Sequence, residues 1–246
     1  MMGSLFKWEM KQTFTSKSFW ILGAAIISLP VLFLVLTLCF AEGMTGYNAF
    51  LEGLSNYNAF VIFLIGVFAG IHVTGAFEGR KIQAAVMAGN SRFNILMAKF
   101  LSYSTAVAIY SVIAIAISSI IAFNMQGFTG IEGSFAREVI VRSLIYVLIE
   151  IAYSATCFLA SMFVRHLGAA IGLNLGLMLM SNVGAQLMFN FDWAPQVMRF
   201  TPVGQTMLMM GDASNTNCVM ALISSVIAFA AVIALSYLRF RREELK

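Results

Sequence analysis

Six stretches of this chain are apolar almost without interruption: Ser18–Phe40, Asn58–Phe77, Ala98–Phe123, Val139–Val164, Leu167–Phe189 and Cys218–Leu238. Each matches the roughly 20 residues that an α-helix needs to cross a hydrocarbon layer about 30 Å thick. The longest interval between them, Asn190–Asn217, has 28 residues, too few for a separate soluble domain. The pattern predicts one all-α polytopic membrane domain over residues 1–246, with six transmembrane helices. The first run exceeds the 7–15 apolar residues of a signal peptide and no small-x-small cleavage site closes it, so it reads as a retained span.

Two segments outside the runs also carry helical patterns. In residues 1–17, Phe6, Met10 and Phe14 recur at i, i+4 and i+8, flanked by Lys7, Lys11 and Lys17. Trp8 adds an interface-seeking ring, so this segment reads as an interfacial helix with its lysines toward anionic lipid; a plain basic flank is the alternative. In the segment 78–97, Ile82, Ala85, Val86 and Met87 give a short helix an apolar side, and Gly89-Asn90 stops it. Ser91 can cap the next helix, which runs through Phe93, Leu96 and Phe100 into the third span.

Composition narrows the class further. Hydrophobic residues make up 60% of the chain and charged residues 11%, against about 25% charged in soluble domains. A soluble enzyme, a disordered chain and a nucleic-acid-binding domain are excluded. Lysine and arginine set the orientation. Twelve lie on one side: Lys7, Lys11, Lys17, Arg80, Lys81, Arg92, Lys99, Arg165, Arg239, Arg241, Arg242 and Lys246. Arg137, Arg142 and Arg199 lie on the other. Both termini are therefore expected in the cytoplasm of a cell-membrane protein, with Glu42, Glu52, Glu132, Glu138, Asp192 and Asp212 outside. The three cysteines, Cys39, Cys157 and Cys218, give no disulfide framework, although Cys39 and Cys218 share the outer level.

The layout resembles the permease subunits of type-2 ABC exporters. Residues Glu78, Gly79, Gly89, Ser91, Arg92 and Lys99 follow the order of that family's segment between spans two and three. The chain departs from it at Arg80-Lys81-Ile82, where the family often has threonine beside the glycine. Pro202 resembles the proline that opens the short outer helices before the last span. The resemblance implies an N-terminal elbow helix and a cytoplasmic coupling helix, Gly79–Gly89, that docks on a separate ABC ATPase. Glu78, Gly79, Arg80, Lys81, Gly89, Ser91 and Arg92 would form that coupling region, with Glu78 and Arg92 as polar anchors. It further implies pairing with a second permease, identical or different, and ATP and magnesium bound by the partner ATPase. The cargo would be amphipathic or lipophilic: an antimicrobial peptide, a drug or a lipid. No G-x-x-x-x-G-K-[ST] phosphate cradle occurs in this chain, so no cofactor is expected here.

Several residues inside the runs invite a functional reading. Glu150 lies near the middle of the fourth span, where an ionisable side chain faces protein or a wet cavity by default. It could bind a cation or relay a proton, or be protonated and hydrogen-bonded to Tyr153 or a neighbouring helix. Gly168, Gly172 and Gly176 share one helix face and permit close backbone approach, within the chain or to a partner permease. Asn174 and Asn182 could line a polar path or tie helices together. His72 and His166 have no ligand neighbours at metal spacing, so no metal site is expected. Glu138 and Arg142 form one E-x-x-x-R, faintly like membrane proteases, but the paired glutamates such enzymes need are missing. The competing readings are an ion-coupled carrier or channel working through Glu150, and a scaffold.

Overall fold

A computed structural model describes residues 2–41, 43–79, 81–164, 166–211 and 214–241. The side chains of Glu78, Ala185 and Phe189 also lie outside the description. The chain runs α1 (Met2–Thr15), α2 (Lys17–Phe40), α3 (Gly46–Ala69), a π-helical turn (Gly70–Thr74), α4 (Gly75–Glu78) and α5 (Lys81–Met87). Then follow α6 (Arg92–Gln126), a second π-helical turn (Ala136–Val141), α7 (Arg142–Met162), α8 (Leu167–Asn190), α9 (Ala194–Met198), α10 (Pro202–Gly211) and α11 (Asn215–Arg241). Among the described residues there is no strand. Six helical segments are long and apolar enough to cross a membrane.

The helices overrun the apolar windows, because capping chemistry rather than hydropathy sets their ends. The second span begins at Gly46, not at Asn58. Thr45 Oγ1 accepts the Asn48 amide at 3.3 Å and starts the helix through a half-polar stretch that a hydropathy window passes over. At the other end of the third span, Gly127 takes a left-handed φ of +71° and closes α6.

The inner layer consists of α3, α6 and α7, whose apolar windows are 61%, 50% and 67% buried. The outer spans α2, α8 and α11 reach only 28%, 17% and 22%. Lipid is as apolar as leucine, so helix pairs in a membrane are selected by close approach and by interhelical hydrogen bonds. Both devices are present. A Cβ on Gly23 would stand 2.5 Å from the ring of Tyr110, and the Tyr110 hydroxyl donates to the Phe19 carbonyl at 2.7 Å, fixing α2 on α6. Tyr57 donates to Ser111 Oγ at 2.6 Å and Tyr103 to the Ile65 carbonyl at 3.1 Å, fixing α3 on α6.

The two ends of the bundle are tied differently. At the terminal face, where α1 begins and α11 ends, Arg239 lies over the Phe163 ring and joins α11 to the end of α7. At the distal face, Tyr47 and Arg142 both donate to Glu138 Oε2, at 2.8 and 3.0 Å. Arg142 Nη1 also donates to the Met209 carbonyl at 2.8 Å, holding α10 against α7. Pro202 is the first residue of α10, where its missing N–H removes no helical bond.

Candidate functional site at the terminal face

The segment between α4 and α6 is built as a short projecting helix. Ile82 is the buried residue of α5 and anchors it, while Ala84, Ala88 and Met87 are exposed, Met87 at 82%. Gly89 takes a left-handed φ of +81°, and the Asn90 amide returns to the Ala85 carbonyl at 3.3 Å. Asn90 Nδ2 donates to that same carbonyl at 3.0 Å. This is a glycine-terminated helix end with its last carbonyls satisfied. Ser91 then caps α6 by accepting the Asn94 amide at 3.3 Å. The chain reverses through two capped ends, so the tip carrying Met87 is held rather than loose.

The residues that the exporter resemblance assigns to this region divide. Gly79 ends α4 and Lys81 opens α5, exposed. Arg80 and the side chain of Glu78 lie outside the described residues. Arg92 points along the bundle: its Nη1 donates to the carbonyls of Phe240 and Arg241 at 3.2 and 3.0 Å. A guanidinium there satisfies the open carbonyls at the end of α11 and sits favourably against the helix dipole. Arg92 thus clamps the third span to the sixth. The exposed surface of the segment carries Met87 and the alanines.

The sequence reading missed a buried ion pair beside this segment. Lys99 Nζ meets Glu9 Oε2 at 3.1 Å, with both side chains below a tenth exposed. The face that α1 turns inward is therefore Glu9 and Thr13, while Phe6, Met10 and Phe14 are only half-buried on its flanks. The apolar i, i+4, i+8 stripe predicts an interfacial helix with its lysines toward anionic lipid and does not announce this polar contact. The polar pair Glu9 and Thr13, also four apart, was the available signal, but its partner lies 90 positions away.

Deeper in the bundle, Glu150 is buried, and among the described residues neither carboxylate oxygen has a hydrogen-bond partner. The expected bond to Tyr153 or a neighbouring helix is not formed. Tyr57 and Tyr146 lie within its electrostatic reach. Asn174 ties helices together: its Nδ2 donates to the Gly66 carbonyl at 3.1 Å and Ser161 Oγ at 2.9 Å. A Cβ on Gly66 would approach the Asn174 Cβ to 2.8 Å, so the two residues form one close contact. Asn182, two turns further along α8 and about 80° around the helix axis, is exposed. Among the described residues, nothing lies within 4 Å of a Cβ added at Gly168, Gly172 or Gly176, and these residues form no packing seam there.

The remaining candidates have ordinary surroundings. His72 Nε2 lies 3.2 Å from Ser102 Oγ, and His166 is exposed ahead of α8. Among the described residues, Cys39, Cys157 and Cys218 form no disulfide. Glu138 and Arg142 form the ion pair of the distal face. Among the described residues, no three His, Cys, Asp or Glu side chains gather to hold a metal ion.

A family model described as a protein of unknown function, DUF2705, matches residues 14–245. The chain belongs to the DUF2705 family. No curated protein matches it. The match opens at Phe14, so it takes in all six spans and the α4–α6 segment and leaves out most of α1. For this DUF2705 member, the geometry of the terminal face is what bears on function.

Proposed function

We propose that this DUF2705 chain is the membrane-spanning permease subunit of an ATP-driven exporter of the type-2 ABC kind. The observation that carries the reading is α5: a short capped helix projecting an exposed methionine between two spans. A carrier that works alone has no use for such a projection, whereas a permease driven by a soluble ATPase needs one. In this reading α1 is the elbow helix, α5 is the coupling helix, and both termini face the cytoplasm of a cell-membrane protein. ATP and magnesium belong to the partner ATPase, and the cargo is an amphipathic or lipophilic molecule such as an antimicrobial peptide, a drug or a lipid.

The outer face of α8, and not that of α11, supports pairing with a second permease, a copy or a different chain. The exposed face of α11 carries Val219, Leu222, Ile223, Val226, Ile227, Leu235 and Leu238, a surface suited to lipid. That of α8 carries Gly168, Gly172 and Asn182 among its leucines, and small residues with an amide suit a protein neighbour better than acyl chains. The test is purification from native membranes in mild detergent. A soluble ATPase should accompany the wild type and be lost with Met87→Asp, which adds charge at the tip and disturbs nothing buried. A folded protein that brings no ATPase would sink this reading.

A second reading rests on Glu150. A carboxylate with both oxygens unbonded in the bundle suits an ion- or proton-coupled carrier. Transport that persists without an ATPase and stops with Glu150→Gln would favour it.

A further inference from the structure

Beneath α1 the terminal face holds a cavity of about 440 Å³. Its wall includes Gln12, Ser16, Ser18, His72, Lys81 and Lys99. Glu9 also lines it, but that carboxylate is already answered by Lys99. Lys81 forms no ion pair among the described residues, which leaves the cavity with surplus positive charge. Ser16 stands at the N-cap of α2 without a side-chain capping bond, so its hydroxyl and the open N–H groups of the first turn remain available. The π-helical turn Gly70–Thr74 carries His72 into the same wall; such turns interrupt a helix's regular bonding and recur at functional sites. Lysine, imidazole, hydroxyl and helix-start amides are the donor set that phosphate esters use.

Two further observations choose among phosphate esters. Trp8 and Trp20 are 49% and 65% exposed and bracket Ser16 and Ser18 along the chain. Tryptophan collects at headgroup depth, so the cavity lies at the level of lipid phosphates. Gln12 Oε1 is buried with no hydrogen-bond partner and needs a donor, which a headgroup hydroxyl provides. We propose that this cavity binds the phosphodiester and hydroxylated headgroup of an anionic phospholipid such as phosphatidylglycerol, drawn from the leaflet at the terminal face. Lys81 and the start of α2 hold the phosphate, and Gln12 accepts from the glycerol hydroxyl. The lipid would brace α1, α2 and the π-helical turn against one another. This site stands independently of any ATPase.

The test is native mass spectrometry of the full chain, delipidated in mild detergent and titrated with palmitoyl-oleoyl phosphatidylglycerol. One lipid per chain is expected, held about tenfold more tightly than diacylglycerol of the same acyl composition, the scale of one lost charge-assisted contact. Lys81→Gln, at an exposed position that leaves the fold intact, should weaken retention about tenfold, and Ser16→Ala should weaken it further. Lys7→Gln, a lysine of α1 outside the cavity, should leave retention unchanged. Equal retention of diacylglycerol, or equal losses from Lys81→Gln and Lys7→Gln, would overturn the proposal. Displacement of the lipid by inorganic phosphate or glycerol phosphate would do so too, by assigning the site to a soluble ester.

Discussion

The pair of Glu9 and Lys99 allows a quantitative test of how α1 is held. The 3.1 Å contact is buried on both sides, so removing one partner strands a charge away from water. Stranding a buried charge costs about 3–5 kcal/mol, well above the worth of a surface pair. Here the charge has an escape. If α1 lifts off, Lys99 at the third-span end of the terminal face is rehydrated, so the penalty falls on docking of α1 and not on folding of the bundle. Glu9→Leu should therefore shift the docking equilibrium by roughly a hundred- to several-thousand-fold, at about 1.4 kcal/mol per decade.

Thr13 provides the readout, because it is buried beside Glu9 and its hydroxyl bonds only within α1, to the Glu9 carbonyl. With Cys39, Cys157 and Cys218 replaced by Ala, Thr13→Cys should react slowly with a water-soluble maleimide. Adding Glu9→Leu should accelerate the reaction by the factor above, and Lys99→Met added to that should restore protection, since both charges are then gone. Because a buried pair is screened far less than an exposed one, raising the salt concentration should leave the wild-type rate nearly unchanged. Labelling that is fast in the parent, or that the double replacement fails to slow, would refute the ion pair as the lock on α1.

Four other outcomes follow from the geometry. Gly66→Ala should destabilise the bundle by about 1–3 kcal/mol in thermal unfolding, because its methyl meets Asn174 at 2.8 Å, whereas Gly172→Ala should leave the chain's own stability unchanged. Asn174→Leu removes the donor to the Gly66 carbonyl, which keeps the Gly70 amide, and to Ser161 Oγ, and should cost about 1–3 kcal/mol for the two bonds by the same measurement. Arg142→Leu removes the donor to Met209 and leaves Glu138 with Tyr47 alone, so limited proteolysis from the distal side should cut near α10 at least tenfold faster. Glu150→Leu should be neutral or stabilising in detergent, since it removes a carboxylate with no hydrogen bond, and a large loss of melting temperature would show a bond that the geometry lacks.

How much of this was legible in the sequence depended on the range of the signal. The six spans were readable because hydropathy over about 20 residues is a local sum. The stop at Gly89 and the cap at Ser91 were readable because a cap is written within four residues. What α1 rests on was not, since Glu9 and Lys99 are 90 residues apart and each alone looks like an interfacial charge. The clamp made by Arg92 is illegible for the same reason: nothing near it in sequence announces the carbonyls of Phe240 and Arg241. The glycines of α8 were read correctly as small and on one face. Whether the chain itself fills that face is decided by where α3 and α7 lie, and they pack on the side of Asn174.

That last point bears on how the molecule is completed. Among the described residues, Asn174 and Asn182 are the same side chain on one helix, and the fold treats them oppositely. The Nδ2 of the buried amide donates to Gly66 and Ser161, so the chain packs this side of α8, although Asn174 Oδ1 has no partner among the described residues. Among the described residues, the exposed amide makes no hydrogen bond, and nothing packs on Gly168, Gly172 or Gly176. In hydrocarbon an unbonded amide is unfavourable and a glycine face gives acyl chains little to pack against, while a second helix answers both. The apolar face of α11 has no such deficit. If pairing is what completes α8, a cysteine at Asn182 should crosslink to its copy or to a partner permease in native membranes, and one at Ile227 on α11 should not. Crosslinking at Ile227 alone would move the contact to α11 and leave α8 to lipid.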